Sequence, residues 1–153
     1  MTPKTVGLIH ILLALFLASQ APAAPIGDYD DLVNKFFDLV NQGKPSEAVD
    51  LLYKTNPWSD KIQDAIQQLK SSLVSTQTMS GNYRGSALIL KKVLGERLVY
   101  MYYLVAYDRQ PLKFEFVFYR PGDKWVVQSF SFSDKITEDI RDFAKYDLVD
   151  QMK

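Results

Sequence analysis

The sequence predicts an α+β domain in which N-terminal helices pack on a curved antiparallel sheet of about four to five strands, with a short helix at the C-terminal end. Two observations predict this fold. Before residue 80, apolar residues recur at spacings of three and four, the pattern of amphipathic helices. Between residues 81 and 133, apolar and aromatic residues alternate with a period of two, the pattern of strands.

The strand pattern is clearest in two segments of the region from Gly81 to Ser133. Both alternating faces are apolar in Arg97–Tyr107. From Leu112 to Tyr119, one face carries leucine and phenylalanine, whereas the other carries Lys113 and Glu115. We therefore expect the phenylalanine face to be buried.

Two turn sequences predict how these strands pair. The segments Asp108–Pro111 and Arg120–Lys124 contain the Asp, Pro and Gly residues typical of turns. The first turn is predicted to set Val105 opposite Phe114, and the second to set Phe114 opposite Phe130.

An earlier strand, Ala87–Leu94, is predicted to pair with the Arg97 strand through a turn at Gly95-Glu96. This pairing would place Leu88 and Leu90 on the core face. The sequence leaves open whether Gly81–Gly85 is a short extra strand or an irregular entry to the sheet.

Helical spacing is strongest in the segment that begins at Asp28, and Gly43 is predicted to end that helix. Further helices are predicted after Lys44-Pro45-Ser46, after a cap at Ser59 or Asp60, and from Asp134 to about Tyr146. The first helix is predicted to bury one apolar stripe: Tyr29, Leu32, Val33, Phe36, Phe37 and Val40.

The first 23 residues have the features of a signal peptide, with Lys4 followed by an apolar run from Val6 to Ala18. Small residues in Ala21-Pro22-Ala23 predict cleavage after Ala23, leaving residues 24–153 as one domain. The protein is therefore predicted to be exported, to the periplasm or the extracellular space. The apolar run is shorter than the about 20 residues that span a bilayer, so no stable membrane span is expected after cleavage, although retention as an anchor is the alternative.

The composition of the processed chain excludes several kinds of site. The only histidine, His10, lies in the leader, and the chain has no cysteine. Ser-His-Asp and Cys-His catalysis and zinc sites built on His or Cys are thus excluded. Near-neutral charge disfavours nucleic-acid binding. The acidic residues at 28, 30 and 31 lack the spaced loop of a calcium site, so we expect no metal and no cofactor.

The order of elements resembles the NTF2-like superfamily, a cystatin-like α+β fold whose cone-shaped sheet wraps around its first helix. The resemblance rests on an amphipathic first helix, the Gly43–Ala48 turn into a second helix, and long strands that end in Asp123–Val127. It covers roughly residues 28 to 133. The resemblance implies an isomerase, a dehydratase, a ligand-binding domain or an exported domain without assigned activity, and also implies that dimers through the sheet face are common.

No residue is assigned as catalytic, and the pattern leaves Glu115 and Tyr103 as candidates. A carboxyl group buried in an apolar pocket would have a raised pKa and could carry a proton. The alternative interpretation is an ion pair on the face that Glu115 shares with Lys113, which the predicted register favours. A ligand pocket for a small apolar molecule is predicted from aromatic residues that could equally be ordinary core: Tyr103, Phe114, Phe116, Phe118 and Phe130.

The opposite face of the sheet is also apolar and aromatic, which is typical of an interaction surface. The alternative is that the C-terminal helix covers it. The residues predicted to form this association face are Leu98, Tyr100, Tyr102, Tyr119 and Trp125. The favoured hypothesis is an exported, non-catalytic binding or assembly module that joins a second copy or another exported protein. The alternative is a small-molecule-binding protein, or an isomerase-like or dehydratase-like enzyme that works without histidine.

Overall fold

The computed structural model describes residues 28–151. The predicted leader at 1–23 lies outside the described residues, so the cleavage site and the export remain predictions. Four α-helices, one short 3-10 helix at Ser59–Ile62 and four strands follow in this order: α1 (Asp28–Asn41), α2 (Pro45–Tyr53), α3 (Gln63–Ser80), β1 (Tyr83–Leu94), β2 (Leu98–Tyr107), β3 (Pro111–Tyr119), β4 (Val126–Ser133) and α4 (Ile136–Gln151).

The strands form one antiparallel sheet in the order β1-β2-β3-β4, so each strand neighbours the next one along the chain. This meander, preceded by helices, confirms the predicted α+β fold. The sequence left open whether Gly81–Gly85 is an extra strand. It is not a separate strand, because β1 begins at Tyr83 and includes Gly85.

The core lies between α1 and the inner face of the sheet, the face that carries the β3 phenylalanines. Phe36 from α1 is fully buried, and its ring lies 5.2 Å from Phe116 and 4.9 Å from Phe130, centroid to centroid. The predicted stripe of α1 is the one that faces this core, since Tyr29, Val33, Phe36, Phe37 and Val40 are buried.

The predicted strand pairing is wrong by two residues in both hairpins, although the predicted faces are largely right. Tyr103 pairs with Phe114, and Phe116 pairs with Phe130. The β2–β3 turn contains three residues, 108–110, instead of the predicted four, and the Asp108 and Arg109 amides donate to the carbonyls of Asn82 and Ser80. A shift of two residues keeps each side chain on its predicted face.

A bulge in β4 overturns one part of the predicted face assignment. The register shifts between Val117 and Phe118, so Val127 pairs with Phe118 and is fully buried on the inner face. Trp125 lies on this same side and packs against the core. The prediction that Trp125 belongs to the association face is therefore wrong, because alternation does not persist through a bulge.

The predicted burial of Leu88 and Leu90 is also wrong. Both are about half exposed, at 45% and 43%. The register shifts between them, so they fall on opposite faces, and β1 is an edge strand of the sheet.

Gly43 and Gly81 are two of the glycines whose positive φ angles favour glycine. Gly43 ends α1 at φ +74°, and the Lys44 amide donates to the Leu39 carbonyl as in a Schellman motif. Gly81 has φ +90°, and a Cβ there would lie 2.7 Å from the Asp108 Cβ. Gly81 is thus required both by its backbone angle and by the close approach of the β2–β3 turn.

Replacing these glycines by alanine should separate the two effects. Gly43→Ala has only the left-handed backbone to accommodate and should lower the free energy of unfolding by about 1–2 kcal/mol. Gly81→Ala adds the clash with Asp108 and should cost about 3 kcal/mol or more. Gly122→Ala meets neither constraint and serves as the control. Urea unfolding measures all three, and equal losses at positions 43 and 81 would contradict the assigned role of the Asp108 contact.

Candidate functional site

The predicted pocket residues lie together, but they form the packed core. Each is at most 9% exposed, and neighbouring rings lie 5.0–6.5 Å apart. Burial, with a smaller effect of Asp30, raises the pKa of the Tyr103 hydroxyl to about 12. None of the five residues (Tyr103, Phe114, Phe116, Phe118 and Phe130) lines the cleft found at the end of the sheet.

That cleft has a volume of about 880 Å³ and opens where α1 begins. Its aromatic wall is formed by Trp125 and Tyr29, whose rings meet edge to face at 4.9 Å. The Arg120 guanidinium lies 5.2 Å from the centre of the Trp125 ring. The cleft is lined by three segments: Asp28, Tyr29 and Leu32 of α1; Lys54, Thr55 and Pro57; and residues 121–126.

The cleft combines this aromatic wall with charges of both signs. Asp28 and Asp123 supply carboxylates, and Lys54 and Lys124 supply ammonium groups. Such a lining suits a flat apolar group that carries a charged substituent. Sequence reasoning missed the site because it requires the β3–β4 turn, which includes Asp123 and Lys124, to meet the start of α1, and the only signal was Trp125 beside that turn.

On the outer face, directly paired residues form rows across the sheet. Leu94, Leu98, Tyr119 and Val126 form the row nearest the β1–β2 turn. The next row contains Tyr100 and Val117, and the following rows contain Tyr102 with Glu115 and Leu104 with Lys113. The first row is apolar, the second row also contains Lys92 and Ser129, and the last two rows carry Glu115 and Lys113.

Glu115 is held in a polar cluster on this outer face. The Tyr100 hydroxyl donates to its carboxylate at 2.7 Å, and the Lys113 ammonium lies 3.7 Å away. Burial, with the hydrogen bond to Glu115, raises the pKa of the Tyr100 hydroxyl. The structure therefore places Glu115 in the ion pair of the alternative interpretation, and it does not bring Glu115 and the inner-face residue Tyr103 together.

The N-terminal part of α4 is anchored to the same cluster. The Asp139 carboxylate accepts hydrogen bonds from the Tyr102 hydroxyl at 2.9 Å and from the Lys113 ammonium at 2.8 Å. The bond from Lys113 holds the pKa of Asp139 below its usual value, and the same bond raises the pKa of Lys113. The predicted C-terminal helix thus covers the Tyr102 end of the outer face.

The rows beyond α4 remain accessible. Leu94 is 53% exposed and Tyr119 is 40% exposed, whereas Leu98, Tyr100 and Val117 are half-buried. We call Leu94, Leu98, Tyr100, Val117 and Tyr119 the outer-face patch. Four of the five predicted association residues lie on the outer face, but Tyr102 is buried beneath α4 and Trp125 is on the other side.

Two further features bear on the kind of site. Among residues 28–151, no group of three or more His, Asp or Glu side chains is placed to hold a metal ion. None of the described helices combines the length and the apolar character needed to cross a bilayer.

Comparison with known proteins gives one structural similarity. No protein-family model and no curated protein matches the sequence. The chain is similar to a solved structure from Campylobacter jejuni that is provisionally named an NTF2-like transpeptidase, with a TM-score of 0.50 and 15% sequence identity. The similarity covers 66% of this chain and 97% of that one. Identity at this level bears on the fold alone.

The anchoring of α4 should depend on the Asp139 carboxylate. Asp139→Asn removes the charge that Lys113 contacts, so α4 amides should exchange hydrogen faster while β3 amides stay protected. Glu138→Gln is the matched control, since that neighbouring side chain makes no described contact. Because the folded-state pKa of Asp139 is lowered, its stabilising effect is present above the unfolded pKa and is lost as pH falls below about 4. Equal α4 exchange in both variants would refute the anchor.

Proposed function

We propose that this chain, which has an NTF2-like α+β fold, is an exported binding or assembly module that joins a second copy through the outer-face patch. The observation that carries the proposal is the row Leu94–Leu98–Tyr119–Val126, which crosses all four strands and includes two side chains exposed by 40% or more. Contiguous apolar surface of this kind is typical of an interaction site.

The side chains of the outer-face patch are of the kinds that are commonly buried when proteins associate. Tyrosines tolerate water in the free protein and bury apolar area on binding. The Tyr100 hydroxyl is already satisfied by Glu115, so it can enter an interface without leaving an unpaired polar group. The patch is contiguous, and in a dimer with two-fold symmetry the patch of one copy would pack against the same patch of the other. Dimerisation through the sheet also agrees with the expectation from the family resemblance.

The polar groups on the outer face favour binding over catalysis. Glu115 and Asp139 are both engaged with tyrosine hydroxyls and with Lys113. A carboxylate held in this way stabilises the fold and is not positioned towards a cavity. Export is supported by the predicted leader at residues 1–23, because its charge, apolar run and small residues are those of a signal peptide.

The cleft beside Trp125 supports a second candidate, a small-molecule-binding function. It is large enough for a ligand, since pockets for drug-sized molecules have volumes of roughly 300–1,000 Å³. Its aromatic wall and mixed charges define the ligand class as a flat apolar group with a charged substituent. For this function, the proposed ligand site lies at Tyr29 and Trp125 and not at the sequence-predicted position around Tyr103.

The molecular mass in solution tests the first function. By light scattering, the wild type should have twice the mass of one chain. Leu94→Asp and Tyr119→Asp bring a charge into the interface and should weaken the dimer by about tenfold or more. Tyr100→Asp is avoided, because it would place a second carboxylate beside Glu115.

Val74→Asp is the matched control for these variants, since Val74 is 41% exposed on α3, away from the outer face. It should leave the mass unchanged. If the wild type has the mass of one chain even at high concentration, the proposed self-association is wrong. Equal dissociation by all three variants would show that the outer-face patch is not the interface.

The second function is tested by the fluorescence of Trp125 in a Trp58→Phe variant, which removes the exposed tryptophan. Benzoate and benzylamine are probes of opposite charge. We expect a saturable change with one of them, and loss of that change in Tyr29→Ala, which removes half of the aromatic wall. If neither probe gives a saturable change, the cleft is not a site for this ligand class.

A further inference from the structure

The two edges of the sheet differ in how their backbone is covered. At the β4 edge, the Val127 amide donates to the Thr55 hydroxyl at 3.0 Å, and the Asn56 side-chain amide donates to the Val127 carbonyl at 2.9 Å. The connection after α2 thus occupies backbone groups that another strand would need. Natural sheets protect their edges in this way.

The β1 edge has no comparable cover. In the part of the chain that the structure describes, no side chain is hydrogen-bonded to the backbone of Leu88–Leu94. The strand is exposed on both faces, with five large apolar side chains at least 40% exposed: Leu88, Ile89, Leu90, Val93 and Leu94. An uncovered apolar edge is a template for pairing with another strand.

The geometry of β1 leaves a regular stretch for such pairing. The irregularity lies between Leu88 and Leu90, and from Leu90 to Leu94 each residue pairs in order with β2, from Tyr102 to Leu98. Five consecutive residues in regular strand conformation can accept an added strand by backbone hydrogen bonds.

The charges of β1 are all basic. The strand contains no acidic residue between Tyr83 and Leu94. Arg84 pairs with Asp108, and Lys91 pairs with Asp30. Lys92, on the outer face opposite Tyr100, has no carboxylate within salt-bridge distance among the described residues. An added strand would therefore be favoured by a carboxylate near Lys92.

We propose that the β1 edge binds an extended, apolar segment of another protein that carries an acidic residue, by adding it as a fifth strand. Backbone hydrogen bonds along Leu90–Leu94 hold the segment, its apolar side chains cover the exposed leucines, and its carboxylate pairs with Lys92. A second copy of β1 is a poorer partner, because it brings only further basic residues to the edge.

This site shares Leu94 with the outer-face patch but is otherwise distinct from the association in the proposed function. The outer-face patch joins side chains across the face of the sheet, whereas the edge uses the backbone of one strand. The two interactions are measured by different experiments. Dimerisation is measured as the molecular mass of the protein alone, and edge binding as the anisotropy of an added labelled peptide. Either can fail without the other.

The test uses a fluorescently labelled peptide, Val-Thr-Val-Glu-Val-Thr-Val, titrated with the full chain and followed by anisotropy. Saturable binding is expected, and replacing its glutamate by lysine should weaken binding by about threefold or more. In an extended peptide, successive backbone N–H groups point to opposite edges, so N-methylation of alternate residues blocks hydrogen bonding along one edge at a time. One of the two alternating patterns should weaken binding by about tenfold or more, and the other should not, because only one edge pairs with β1.

Variants of the protein locate the binding site. Ile89→Glu adds a negative charge to the edge beside the glutamate peptide and should weaken its binding, whereas Met79→Glu, at a similarly exposed position on α3, should not. Lys92→Glu should reverse the preference, so that the lysine peptide binds more tightly than the glutamate peptide. That reversal is a gain of binding, which a merely unfolded variant cannot produce.

Three results would overturn the proposal. The first is no saturable binding of the glutamate peptide at millimolar concentration. The second is binding that both N-methylation patterns leave unchanged, which would indicate contact through side chains alone. The third is a dimer that Ile89→Lys dissociates and that the peptide does not displace, which would assign the edge to a second copy of the chain.

Discussion

The packing of Phe36 against the inner face of the sheet is the interaction on which the other features depend. Its ring contacts aromatic residues from β3 and β4, at centroid distances of 4.9–6.2 Å. The chain has no cysteine, so no disulfide assists this packing. The position of α1 along the sheet follows from it, and Tyr29, two helical turns before Phe36, is thereby brought to Trp125.

This arrangement gives the two faces of the sheet different roles. The inner face is filled by phenylalanine rings, so the cleft lies outside it, where α1 begins, and the buried rings do not line that cleft. Among residues 28–151, no helix covers the whole outer face. Polar contacts of Asp139 hold α4 over the Tyr102 end, and the apolar rows at the other end face solvent. Interaction surfaces therefore lie where the helices do not reach.

The two edges of the sheet also differ in how their backbone groups are covered. Side chains from one connection satisfy the outward groups of Val127, whereas none of the described side chains is hydrogen-bonded to the backbone of Leu88–Leu94. Within residues 28–151, one edge of the sheet is therefore covered by side chains and the other is not. The position of Lys92 beside exposed leucines then determines which strands can pair there.

Strand parity accounts for both the correct and the incorrect assignments of residues to the faces of the sheet. Side chains alternate between faces, so a register error of two residues left Tyr103, Phe114, Phe116 and Phe130 on the predicted face. The bulge in β4 changes the parity by one and moves Val127 and Trp125 inward. Bulges have no reliable sequence pattern, and at this one Val127 donates a hydrogen bond to Thr55 and accepts one from Asn56, residues about 70 positions earlier in the chain.

The sequence by itself determined the α+β class, the NTF2-like order of elements, and the buried faces of α1 and β3, because these follow from local periodicity and turn residues. Only the tertiary structure decided the register, the cleft at Trp125, the anchoring of α4 and the exposure of β1. Each of these depends on contacts between segments far apart in the chain. The difference is physical: burial of a face is a property of neighbouring residues, whereas a cleft or an open edge is defined by which distant segments do, and do not, come together.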